Sequence, residues 1–174
     1  MNPGTPAGIP APDPARGAGH APRVVFDCNV LLQAIISHRG PSFACARLAL
    51  ESRIVLVTSP AVLAELRQMP SHPGLRRFPR VTAQVVEAFI AEITAVAIEV
   101  PSPPSVFEYN RDPKDAHYID LAVAANAAIV TSRDNDLLDL MVPGAPEADE
   151  FRRRFPLLRV LPPDVLLREM GSGC

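Results

Sequence analysis

The chain is predicted to be an α/β protein with a central parallel sheet of four to five strands flanked by helices. Short β-type apolar runs recur at 24–26, 54–57, 97–100 and 128–131, with a fifth at 157–161. Stretches of helical periodicity with recognisable start signals fall between them. Strands that alternate with helices imply a parallel sheet covered on both faces.

In chain order, Val24, Val25 and Phe26 form a strand that ends in Asp27 and feeds a helix over 30–36. After a break at His38-Arg39-Gly40-Pro41, Phe43, Ala46, Leu48, Ala49 and Leu50 suit a second helix, and 54–57 read as a buried strand. Ser59-Pro60 signals a helix to about Gln68, because Ser caps free N–H groups and Pro tolerates the first turn. Three prolines and a glycine make 69–80 a loop, and Thr82 caps a helix reaching Ala95 before the third strand. A proline-rich crossover over 101–110 leads to Arg111-Asp112-Pro113-Lys114-Asp115, which heads an apolar helix ending near Asn126. A turn at Asp134 and a Pro/Gly-containing loop separate the fourth and fifth strands, and 163–170 form a last short helix.

Residues 1–22 are mostly Pro, Gly and Ala, so ordering them costs backbone entropy with little apolar return. They read as a disordered tail ahead of one globular domain at 23–170. With 48% hydrophobic residues the 174-residue chain can bury a core, while a net charge of -2 gives no whole-molecule attraction to nucleic acid. Any such binding needs a local patch. Three scattered cysteines argue against a disulfide framework or zinc set, which with the lack of a signal-peptide core fits a cytoplasmic protein. The longest nearly unbroken apolar run, 121–130, is too short for a membrane span. Absence of Trp and scarcity of Tyr disfavour a base-stacking platform and favour backbone and shape recognition.

Ligands of such sheets lie outside the carboxyl ends of the strands. Asp27 ends the first strand, Glu65 lies in the helix after the second, Asp115 heads the helix before the fourth, and Asp134 follows the fourth. Converging carboxylates repel unless a cation joins them, and Mg²⁺ and Mn²⁺ prefer carboxylate and water oxygens. Such an ion site supports phosphodiester hydrolysis. Each residue also has a simpler role, since Asp27 suits a helix cap, Glu65 a solvent-facing helix position, Asp115 the helix dipole and Asp134 a turn. Those roles leave the shared location unexplained.

The segments VVFDCNVLLQAI, VTSPAVLAEL, RDPKDAHYIDLAVAANAAIV and TSRDNDLL resemble the successive motifs of PIN-domain proteins, in particular the bacterial toxin-component branch of toxin–antitoxin pairs. The resemblance covers most of 23–167 and implies a PIN-like three-layer fold and a metal-dependent endoribonuclease. It implies Asp27, Glu65, Asp115 and Asp134 as catalytic metal ligands for Mg²⁺ or Mn²⁺, with Asn29, Ser59 and Asp136 supporting them. It further implies an RNA substrate, a cognate antitoxin placing an Arg among the carboxylates, and room for a homo-oligomer. Two positions depart from the pattern: Cys28 stands where a small hydroxyl residue is usual, and Ser132-Arg133 replaces Thr-Gly.

The competing expectations are a degenerate PIN domain that only binds RNA or protein, and a phosphatase using an aspartyl-phosphate. The phosphatase motif needs a second aspartate where Asn29 stands. None of the histidines is assigned, and Asp112, Asp120 and Asp139 read as cap or surface residues. Cys28 reads as a small buried filler and Cys174 as exposed. Arg76, Arg77 and Arg80, and separately Arg152, Arg153 and Arg154, suit either phosphate tracking or a solvated face.

Overall fold

The computed structural model describes residues 21–171; the predicted disordered tail falls outside them up to residue 20, as does Cys174. Strand β1 (Arg23–Phe26) is followed by helices α1 (Cys28–Ile36) and α2 (Pro41–Leu50), then β2 (Val55–Thr58) and α3 (Pro60–Gln68). Two 3₁₀ turns, Met69–Ser71 and Pro73–Leu75, lead to α4 (Ala83–Thr94) and β3 (Ile98–Glu99). After the crossover come α5 (Ala116–Ala124), β4 (Ile129–Thr131), α6 (Asn135–Asp139), α7 (Pro146–Arg154), β5 (Arg159–Leu161) and α8 (Pro163–Gly171).

The strands form one sheet in the order β3-β2-β1-β4-β5, with every neighbouring pair parallel. Central β1 pairs Val24 and Val25 with Leu56 and Val57 on one side and with Ile129 and Val130 on the other. Val24, Val25 and Phe26 are buried on both faces, as a sheet covered by helices requires. Hydrophobic burial of Leu31, Leu66, Ile93, Ile119 and Leu166, from five different helices, joins the layers into one core.

Capping follows the residue chemistry: Ser59 Oγ accepts from Val62 N, and Thr82 Oγ1 accepts from Val85 N. Other expectations need correction. The stretch between β4 and β5 is not a plain loop, because Phe151 at the buried face of α7 packs edge-on to Phe107 and anchors that helix to the crossover. Leu157, expected in the fifth strand, is 66% exposed and precedes it. Helix α5 begins only at Ala116, since Asp112 Oδ1 accepts from Lys114 N and closes a separate turn. Asp112 is therefore not the cap of α5. Asp120 is no surface residue: it is buried, and its Oδ1 accepts from Val106 N and Phe107 N at 2.8 Å each, pinning the crossover to α5.

Candidate active site at the carboxyl edge of the sheet

Strand β1 delivers Asp27 to the carboxyl edge, where its own N–H extends the ladder to Thr131 O at 3.0 Å. The side chain is buried and both of its oxygens are engaged. Oδ1 caps α1 by accepting from Val30 N at 2.7 Å, while Oδ2 accepts from the Ser132 hydroxyl and from Arg133 N at 3.3 Å. Ser132 Oγ in turn accepts from Asp134 N at 2.9 Å, so one hydroxyl joins Asp27 to the residue that caps α6. The capping oxygen is Asp134 Oδ1, bonded to Asp136 N. Burial pushes the Asp27 carboxyl up to about 6, against the hydrogen bonds from Ser132, Val30 and Arg133, and the Asp134 charge adds to the rise.

Glu65 enters from α3 and is held from α5. The Tyr118 hydroxyl donates to Glu65 Oε2 at 2.7 Å, and His117 Nε2 lies 3.4 Å from the same oxygen. Burial raises the Glu65 carboxyl, but these two hydrogen bonds and the nearby charges of His117 and Lys114 outweigh it and hold the group below its usual range. Tyr118 OH also accepts from Cys28 N at 2.9 Å, so one buried phenol ties the residue after Asp27 to Glu65. The Cys28 thiol is buried, and burial together with the Glu65 and Asp27 charges keeps it protonated. It fills space, as expected.

Asp115 stands at the head of α5 without capping it, and its Oδ2 is buried with no hydrogen-bond partner. Burial pushes its carboxyl up to about 7, and the charges of Asp112, Asp134, Asp27 and Glu65 all raise it further. Asp115 thus feels the charges of the other three expected carboxylates. The supporting residues divide: Ser59 is buried at the cap of α3, Asn29 is exposed in the first turn of α1, and Asp136 turns its carboxylate to Arg111 at 2.6 Å. Arg111 also pairs with Asp139 at 2.7 Å, and Tyr109 OH donates to Asp136 O, so this group fastens α6 beneath Asp134.

Ser132, Tyr118 and His117 were missed from the sequence. Ser132 was legible only as a departure from a motif, and the helical spacing gave no sign that Tyr118 and His117 both reach Glu65. Among the described residues no three His, Cys, Asp or Glu side chains gather closely enough to hold a metal ion. An all-oxygen donor set with one unpartnered buried carboxylate oxygen still suits a hydrated hard cation, since Mg²⁺ keeps several waters and takes one or two carboxylates plus substrate phosphates.

The fold and site define a parallel α/β protein with an acidic edge, and the sequence pattern of the PIN domain matches residues 23–136. The chain belongs to the PIN domain family, whose members are in general nucleases and typically use divalent metal ions. It is 30% identical over 118 residues to the uncharacterized protein MJ1680 of Methanocaldococcus jannaschii, covering 68% of this chain and 74% of that protein. It is also similar, at 14% identity and a TM-score of 0.47, to a chain in the crystal structure of VapBC2 from Rickettsia felis bound to a DNA fragment from their promoter. That alignment covers 80% of this chain and 98% of the other. Among the described residues no helix is long and apolar enough to cross a membrane.

Proposed function

We propose that this chain is an Mg²⁺- or Mn²⁺-dependent endoribonuclease whose ion sits among Asp27, Glu65, Asp115 and Asp134, held directly by one or two of these carboxylates and through its waters by the others. The observation that carries the reading is Asp115, a carboxylate with a buried, unpartnered oxygen, raised by burial and by the charges of Asp112 and of the other three. Such a group either stays protonated or accepts a cation. A bound divalent ion supplies water activation at neutral pH and stabilises charge on the phosphodiester oxygens.

The chain's own residues set the geometry. Ser132 and the Val30 and Arg133 N–H groups fix both Asp27 oxygens, and Tyr118 and His117 fix Glu65. Both carboxylates are thereby oriented before substrate arrives, which limits reorganisation during reaction. Mixed RNA should be cleaved with millimolar Mn²⁺ and left intact with EDTA; cleavage equal in both would refute metal dependence.

The motif resemblance supports a narrower role as the toxin of a toxin–antitoxin pair, acting in the cytoplasm. A cognate antitoxin segment then covers the acidic edge and sets an Arg among the carboxylates. Expression without the antitoxin should slow growth, and Asp27→Asn should abolish the effect; equal slowing by both would detach toxicity from the site. A second reading, an RNA- or protein-binding module without catalysis, draws on Cys28, a thiol where a hydroxyl is usual beside the first carboxylate. The same cleavage assay separates the two.

A further inference from the structure

A cleft of about 650 Å³ opens between the end of α1, the loop before α4 and the first turn of α4. Apolar side chains, including Ile35 and Phe78, line it together with His38, Arg39, Arg77 and Arg80. Arg39, Arg77 and Arg80 are exposed, and none of them meets a carboxylate among the described residues. Two of the three arginines of the other basic run are already used: Arg152 pairs with Asp149 at 2.6 Å and Arg154 donates to Val106 O at 2.6 Å.

A chain of net charge -2 with an acidic reaction edge cannot draw a polyanion by its overall field. It needs cations placed away from the carboxylates. The cleft supplies them at the far end of α1, whose nine residues separate it from Asp27 by about 13 Å along the helix axis. Three guanidinium forks suit phosphate oxygens, and Arg77 lies 5.1 Å from the centroid of the Phe78 ring. We infer that this cleft binds the phosphodiester backbone of single-stranded RNA outside the reaction edge. The inference rests on the ribonuclease reading for the identity of its polyanion.

The test measures binding of a labelled single-stranded RNA to the full chain in EDTA, across a salt series. The triple variant Arg39→Ala/Arg77→Ala/Arg80→Ala should weaken binding by about tenfold or more at low salt and flatten the salt slope by about 2, near 0.7 per lost phosphate contact. Arg152→Ala/Arg153→Ala/Arg154→Ala removes the same charge and should leave the slope unchanged. An unchanged slope in the cleft variant would overturn the inference. So would intact RNA binding alongside loss of a protein partner, which would assign the cleft to that partner. A flattened slope in a chain that shows no Mn²⁺-dependent cleavage would support the cleft and sink the ribonuclease reading alone.

Discussion

Tyr118 donates to Glu65 Oε2 at 2.7 Å while accepting from Cys28 N at 2.9 Å, so one side chain on α5 spans the two carboxylate-bearing segments at the head of α1 and within α3. Tyr118→Phe leaves the buried Cys28 N–H without this acceptor, a cost of about 1–3 kcal/mol. Freed of its donor, Glu65 should bind the ion more loosely. The expected outcome is a lower melting temperature and a Mn²⁺ affinity reduced about 10–100-fold, as for other partners that orient metal ligands. Melting curves and Mn²⁺ titration check both, and wild-type affinity in the variant would confine Tyr118 to structure.

The raised carboxyls of Asp27 and Asp115 fix the sign of the pH dependence. Both bind protons more tightly folded than unfolded, so they stabilise the metal-free protein below the usual carboxylate range and lose that contribution as pH climbs through about 6 and about 7. Metal-free stability should therefore fall between about pH 4 and 7. Millimolar Mn²⁺ should remove much of the fall, because it binds only the folded, ionised site. Denaturant melts at several pH values, with EDTA and with Mn²⁺, measure this; a metal-free profile rising across that window would contradict it.

Ser132 links Asp27 to Asp134. Its Oγ contacts Asp27 Oδ2 and accepts from Asp134 N, and it is fully buried. Ser132→Ala should cost about 1–3 kcal/mol by stranding the Asp134 N–H. It should also move the Asp27 titration, followed by carboxyl-carbon NMR, further upward, because a hydrogen bond that favours the charged form is gone. An unmoved titration would show that the Ser132 hydroxyl does not help to hold the Asp27 charge.

Much of the fold was legible because it rests on short-range chemistry. The runs 24–26 and 128–131 read as strands and hold β1 and β4, and the Ser59 and Thr82 caps start helices where expected. What escaped depends on contacts distant in sequence. Helix α7 is strongly charged, and Phe151 meeting Phe107 holds it against the protein. Asp120 looked like a surface residue because its partners, the N–H groups of Val106 and Phe107, belong to a segment with no regular pattern. In the site, the expectation of four carboxylates at one edge came from their places relative to the strands and helices, whereas Tyr118 and Ser132 act across about 50–100 residues of chain, where spacing rules are silent.

Asp112 and Asp115 stand close together ahead of α5 and should separate structure from catalysis. Asp112 closes an exposed turn at Lys114 N, so Asp112→Ala should cost no more than about 1 kcal/mol and leave most cleavage intact. Asp115→Asn removes a repelled, half-buried charge, so metal-free stability should hold or rise. Melting curves in EDTA and cleavage rates in Mn²⁺ check the pair, and loss of cleavage in Asp112→Ala alone would reverse the two roles.

The most direct measurement of the central claim is the Mn²⁺-dependent RNA cleavage rate of Asp115→Asn beside the wild type, with melting curves confirming that both are folded. The expected result is cleavage by the wild type that EDTA abolishes, and collapse of the rate in a variant at least as stable without metal. Wild-type cleavage by folded Asp115→Asn would contradict the assignment of this edge as the metal-dependent active site.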